Sequence, residues 1–174
     1  MNVNTKKTKE MLLGSIKKNP PPTLQLNDQP IERVSTYKLL DIHVTDALRW
    51  NVHIASICSK AARRLHFLNV LKHAAMSADD LLYYYLSVVR PVTEYACVVW
   101  HTSITKKQSE LIERIQRRAA RIIFGHQVDA LKSLALPSLH DRREMLTKKF
   151  FIGLLSPNSC LHYLIPPENN NQQI

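Results

Sequence analysis

Glycine is scarce in this chain, with three in 174 residues. That scarcity excludes glycine-rich loops that cradle phosphate, and neither G-x-G-x-x-G nor G-x-x-x-x-G-K-[ST] occurs. It also argues against a fold built of many tight hairpins. Cysteine is as rare. Cys58, Cys97 and Cys160 are odd in number and widely spaced, and no C-x-x-C occurs, so no zinc knuckle or redox pair is indicated. A reducing compartment fits this usage. Long apolar runs are missing too. The longest, YACVVW, is far too short to span a bilayer, and MNVNTKKTKEM has no apolar signal core.

Acids are in deficit. Fourteen Asp and Glu stand against 24 Lys and Arg, a net charge of +10. A surface this basic favours a polyanion, either nucleic acid or anionic lipid. The length predicts one domain, long enough to bury a core. Eight histidines invite a metal reading, but they show no H-E-x-x-H, His-x-Asp or His-x-Glu pattern. Scattered core and surface histidines account for them better. There is no G-x-S-x-G, and no cysteine has a recognisable nucleophile setting. No metal, no cofactor and no self-contained active site is expected.

Periodicity divides the chain into residues 1–44, 45–156 and 157–174. In the first segment, TLQL and STYKLLDIHV read as strands joined through the turn NDQP, which predicts a small β-hairpin. From Trp50 the period changes. Trp50, Ile54, Ile57, Ala61, Leu65, Leu68 and Leu71 share one helical face, with Asn51 as N-cap and Lys60, Arg63 and Arg64 opposite. Ser77 opens a second helix, LLYYYLSVV, in which Pro91 either starts a new helix or kinks this one before VTEYACVVW continues helically. A further helix runs over TKKQSELIERIQRRAARIIFG, with Thr105 and Gln108 as a capping box and Gly125 at its end. A short helix, a break at Leu136-Pro137 and a last helix opened by Ser138 follow. Arg142, Arg143, Lys148 and Lys149 add basic surface to that last helix. The end of the chain is polar, with tandem prolines, and is expected to be disordered.

Asp79-Asp80 is the sequence's one adjacent acid pair. A two-metal polymerase site needs such a pair at a hairpin tip, with a third carboxylate from a neighbouring strand. Here both acids fall in the first turn of an amphipathic helix, where the helix dipole favours them, and Ser77 stands as cap. Capping is therefore the expected role of this pair.

Arg114, Arg117, Arg118 and Arg121 follow at i, i+3, i+4 and i+7, a stripe beside the apolar face of Leu111, Ile112, Ile115, Ala119, Ile122 and Ile123. It reads either as a solvated face, with Glu110–Arg114 and Glu113–Arg117 pairs, or as a face that tracks phosphates.

Several stretches in order resemble one family. NVNTKKTKEM, PIERVSTYKLLDIHVTDALRWNVHI, YYYLSVVRPVTEYACVVW, ERIQRRAARIIFG and LPSLHDRREMLTKKFF are similar to the C-terminal part of reverse transcriptases of non-LTR (LINE-like) retrotransposons, from Met1 to about residue 167. The resemblance implies a mainly α fold, a helical thumb-like bundle preceded by the small N-terminal β-hairpin. It makes Lys7 the palm lysine that assists pyrophosphate departure, and Tyr37, Lys38, Leu39 and Leu40 a primer-grip-like segment. The helices from Trp50 onward would hold template–primer duplex, RNA or DNA, through Lys60, Arg63, Arg64, Arg114, Arg117, Arg118 and Arg121. Asp41 departs from the glycine usual in that grip, and a carboxylate there repels phosphate. Between Gly125 and Ala130 the chain is short for the family.

The catalytic aspartates would lie before Met1, so the resemblance implies a catalytically incomplete fragment, with Lys7 inactive on its own. The same stretch also resembles the domain named for the N-terminal region of AlkB homologue 8, linked to tRNA modification. No iron-binding pair or methyl-donor loop supports that oxygenase or methyltransferase chemistry. The remaining expectation is a helical interaction module that self-associates through apolar faces left uncovered by lost palm contacts.

Overall fold

The computed structural model describes residues 4–125 and 136–166. Its strands are short: β1 (Lys9–Glu10), β2 (Gln25–Leu26), β3 (Gln29–Pro30), β4 (Glu32–Arg33), β5 (Thr36–Leu39) and β6 (Ile42–Thr45). The helices are α1 (Asn51–His73), α2 (Ala78–Tyr84), α3 (Arg90–Glu94), α4 (Cys97–Trp100), α5 (Lys106–Phe124) and α6 (Leu139–Leu155). The fold is a mainly α-helical bundle preceded by small β elements.

The expected hairpin is two hairpins. β2 pairs with β3 around Asn27-Asp28, and β5 pairs with β6 around Leu40-Asp41. All four turn residues have positive φ, between 45° and 67°. Asn and Asp tolerate that region, and two such residues in succession give the turn twist that suits a two-residue hairpin. Leucine at φ 45° carries no sequence signal for a turn, so the second hairpin was hidden inside one apparent strand. β1 and β4 add a parallel pair that no local pattern announces.

Helix ends follow their caps with one exception. Thr105 and Gln108 make both capping-box bonds, at 3.2 Å and 2.7 Å. Ser77 Oγ accepts the Asp80 N–H at 3.1 Å, and Ser138 Oγ accepts the Asp141 N–H at 3.0 Å. Gly125 ends α5 at φ 70°. Asn51 is not the N-cap of α1. Trp50 holds that position, and the Asn51 side chain instead accepts a hydrogen bond from Gln108 Nε2.

Between α2 and α3 the helix widens to π geometry over Tyr85–Val89. Pro91 has no N–H for the carbonyl of Ser87, and its ring crowds that carbonyl. A π stretch just before it lets the helix continue. VTEYACVVW does not run on as one helix, because Ala96 adopts a left-handed conformation at φ 48° between α3 and α4.

α1 and α5 run parallel. Gln108 meets Asn51 near their N-termini, and Lys72 Nζ reaches the Ile123 carbonyl at their C-termini, 3.1 Å away. Between them lie Ala61, Leu65 and Leu68 of α1 and Ile115, Ala119 and Ile123 of α5, closed over by Leu81, Tyr85 and Val89. A second cluster joins Trp50, Ile54 and Ile57 to Cys97, Trp100, Ile112 and Leu139. Two expected core residues of α5 differ. Leu111 is exposed and Ile122 is half-buried, while Gln108 and Gln116 are buried in hydrogen bonds. Tyr83 of α2 faces solvent.

The helix expected before Leu136-Pro137 and the shortening expected after Gly125 lie outside the described residues. Of the expected disordered tail, residues 157–166 are described and include a 3-10 turn, His162–Leu164. Among the described residues, no helix is long and apolar enough to cross a membrane.

Candidate nucleic-acid interface

The arginine stripe of α5 faces solvent. Arg114, Arg117, Arg118 and Arg121 are all exposed, while Ile112, Ile115, Ala119 and Ile123 of the same helix are buried. The stripe therefore lies across the helix from the core rather than at its edge. Lys106 and Lys107 extend the exposed charge to the first turn.

The expected i,i+4 pairs are replaced by others. Arg117 pairs with Glu110, two turns away. Glu113 turns inward and accepts the N–H groups of Leu139 and His140, at 3.3 Å and 2.6 Å, where α6 begins. A carboxylate suits that helix N-terminus, because its first amides have no partners within the helix and the dipole is positive there. With Glu113 so engaged, Glu110 is the acid left on α5 to offset the four arginines.

On α1 the three basic residues part ways. Arg63 is exposed. Lys60 pairs with Asp41 at the tip of the β5–β6 hairpin. Arg64 donates from Nη1 to the Val88 carbonyl, in the π stretch where regular helical bonding is disturbed. Lys60 and Arg64 thus tie α1 to its neighbours.

The segment Tyr37, Lys38, Leu39 and Leu40 forms β5 and the first turn residue, and all four are exposed. Lys38 Nζ lies 2.6 Å from Asp41 Oδ1. Hydrogen bonds from Lys38 and Lys60 hold the Asp41 carboxyl down at about 2. Lys7 ends a 3-10 turn over Thr5–Lys7. Its N–H donates to Asn4 Oδ1 at 3.2 Å, which gives the Asn-x-x-Lys spacing a local structural reason, and its side chain is exposed.

The basic surface expected of α6 is reduced. Arg142 is tied to Glu94 through two contacts, and Lys148 pairs with Glu144 at 2.7 Å. Arg143 is buried completely. Its Nε donates to His101 Nδ1 at 3.4 Å and its Nη2 to Ser109 Oγ at 3.2 Å, while the guanidinium lies 5.7 Å from the Trp100 ring centre. The signal for this burial was present. Leu139, Arg143 and Thr147 recur every fourth residue, and all three are buried.

Two arrangements escaped the sequence reading. The first is a groove of about 1130 Å³ between α5, α6 and the chain after it, lined by Ile104, Phe151, Ile152, Leu155 and Leu164 with His101 and Glu113 among its polar groups. The second is a constellation of His140, Asp141 and Glu144 with donor atoms within 4.8 Å of one another. These residue types suit a divalent cation. In this structure Lys148 contacts Glu144, and Asp141 sits at the capped start of α6.

Asp79 and Asp80 open α2 and are exposed. Ser77 Oγ caps the helix by accepting the Asp80 N–H, and its hydroxyl donates to Asp80 Oδ2 at 2.7 Å. The pair is not at a hairpin tip.

Comparison with known proteins finds no matching family model, no matching curated protein and no matching solved structure.

Proposed function

We propose that this chain binds nucleic-acid backbone without sequence preference and carries out no chemistry of its own. That is the residual role expected of a catalytically incomplete C-terminal part of a non-LTR retrotransposon reverse transcriptase. The observation that carries the reading is the α5 face, where four exposed arginines at i, i+3, i+4 and i+7 lie with Glu110 as the acid beside them. Guanidinium groups pair well with phosphate oxygens, and four of them on one exposed face offer several such contacts at once. The net charge of +10 adds long-range attraction.

The test is a titration of labelled RNA and DNA across a salt series. Affinity falls steeply with salt for the wild type. Arg117→Glu with Arg118→Glu weakens binding and flattens the salt slope. Unchanged affinity in that variant rejects this face.

One observation favours a second reading, a helical interaction or self-associating module. Phe150, Phe151, Ile152 and Leu155 are exposed near the C-terminal end of α6. Mass that rises with protein concentration, without nucleic-acid affinity, selects this reading.

A further inference from the structure

Asp41 stands between two lysines carried by different elements. Lys38 comes from β5 and approaches Oδ1 at 2.6 Å, while Lys60 comes from α1 and contacts Oδ2. Each carboxylate oxygen takes one ammonium group. The turn that presents the carboxylate is fixed from two sides. Leu40 and Asp41 both have positive φ, and Tyr95 Oη, just past α3, donates to the Leu40 carbonyl at 3.1 Å.

Two ammonium groups converging on one small anion from a strand and a helix would also suit a phosphate group, with two oxygens each accepting from a lysine. Asp41 supplies such an anion from within the chain. Its side chain is 45% exposed, so burial does not hold it in place. Exposed ion pairs contribute little net stability, which leaves the two lysines able to exchange partners. The carboxyl stays ionised throughout the physiological range, so acidification does not open the site.

We propose that Lys38 and Lys60 form a phosphate-binding site for nucleic-acid backbone, which Asp41 occupies in cis and thereby weakens. The inference rests on the nucleic-acid reading above and names the residue that limits it. Asn at position 41 removes the charge and keeps the tolerance for positive φ, so the hairpin survives the substitution.

The first arm of the test uses inorganic phosphate alone. It is titrated into wild-type and Asp41→Asn protein while the lysine side-chain methylene signals are followed by NMR. The Lys38 and Lys60 signals of the variant move saturably, with a midpoint about threefold or more below that of the wild type, in keeping with the loss of one competing charge. Equal midpoints, or movement confined to other lysines, overturn the proposal.

The second arm uses a labelled oligonucleotide. Asp41→Asn binds about three- to tenfold tighter, with a salt slope steeper by about 1, and adding Lys38→Ala and Lys60→Ala removes the gain. If the wild type binds and the variant binds no tighter, the Asp41 inference fails alone. If neither protein binds the oligonucleotide while phosphate still moves Lys38 and Lys60 in the variant, the nucleic-acid reading fails alone.

Discussion

Tyr85 Oη donates to Gln116 Oε1 at 2.8 Å inside the bundle, and Gln116 Nε2 passes the connection on to the Pro137 carbonyl at 3.1 Å. A single buried amide thus links the π stretch, α5 and the approach to α6. Tyr85→Phe keeps the ring and leaves Gln116 Oε1 without its donor. The expected loss is about 1–3 kcal/mol of unfolding free energy, measured by urea denaturation. A change within a few tenths would mean that water or a neighbour replaces the hydroxyl.

Stability should fall on mild acidification. Burial holds His53 and His101 below the ordinary histidine value, with the nearby His43 adding to the effect at His53 and Arg143 at His101. The folded state keeps both rings neutral, while the unfolded chain takes up protons at about pH 6.5. The stability from neutral burial is therefore complete above about pH 6.5 and declines as pH falls toward the lower folded values. Melting temperature followed from pH 7.5 to 5 checks this. His53→Phe should flatten the decline, and an unaltered slope would assign the effect to other groups.

Arg64 and Arg114 should separate stability from binding. Arg64 serves the Val88 carbonyl in the π stretch, whereas Arg114 is exposed on the α5 stripe. Arg64→Ala should lower stability by about 1 kcal/mol, the scale of one hydrogen bond from a charged donor at a partly exposed site. Arg114→Ala should leave stability within about 0.5 kcal/mol and reduce the salt slope of nucleic-acid binding by about 1. Denaturation and binding measured on both variants decide the matter.

Arg143 is a buried cation whose Nη1 finds no hydrogen-bond partner among the described residues. Glu113, its nearest acid, is 4.0 Å away and already serves the α6 amides. Desolvation of such a charge is costly, and a well-packed apolar side chain often does as well. Arg143→Met should match or exceed the wild type in thermal unfolding. A loss above about 3 kcal/mol would show that the contacts to His101, Ser109 and Trp100 outweigh the desolvation.

The helices were legible because their signals are local. Ser77, Thr105 and Ser138 each sit three residues before the amide they cap, and the α1 face from Trp50 to Leu68 keeps one period throughout. What was hidden depends on partners far along the chain. The turn at Leu40-Asp41 has a leucine where turn chemistry usually shows glycine or asparagine. The parallel pairing of β1 with β4 joins residues 23 apart. The stripe was visible from spacing alone, but its partners were not. Glu113 was drawn from Arg117 to the start of α6, and Lys60 and Arg64 were drawn to a hairpin and a π stretch. Spacing shows which residues share a face; it does not show which of them another element has already engaged.

Because α1 and α5 lie parallel, no short turn could have joined them. Their end contacts close loops of 57 and 51 residues, from Asn51 to Gln108 and from Lys72 to Ile123. Closing such loops costs chain entropy, which the contacts buried between the two helices offset. The chain between them, through α2, α3 and α4, returns to the end of the bundle where α1 began before α5 starts. A chain cut before Lys106 would leave Ala61, Leu65 and Leu68 without half of their surroundings. Burial of the first long helix is thus completed by sequence that lies some fifty residues further along the chain.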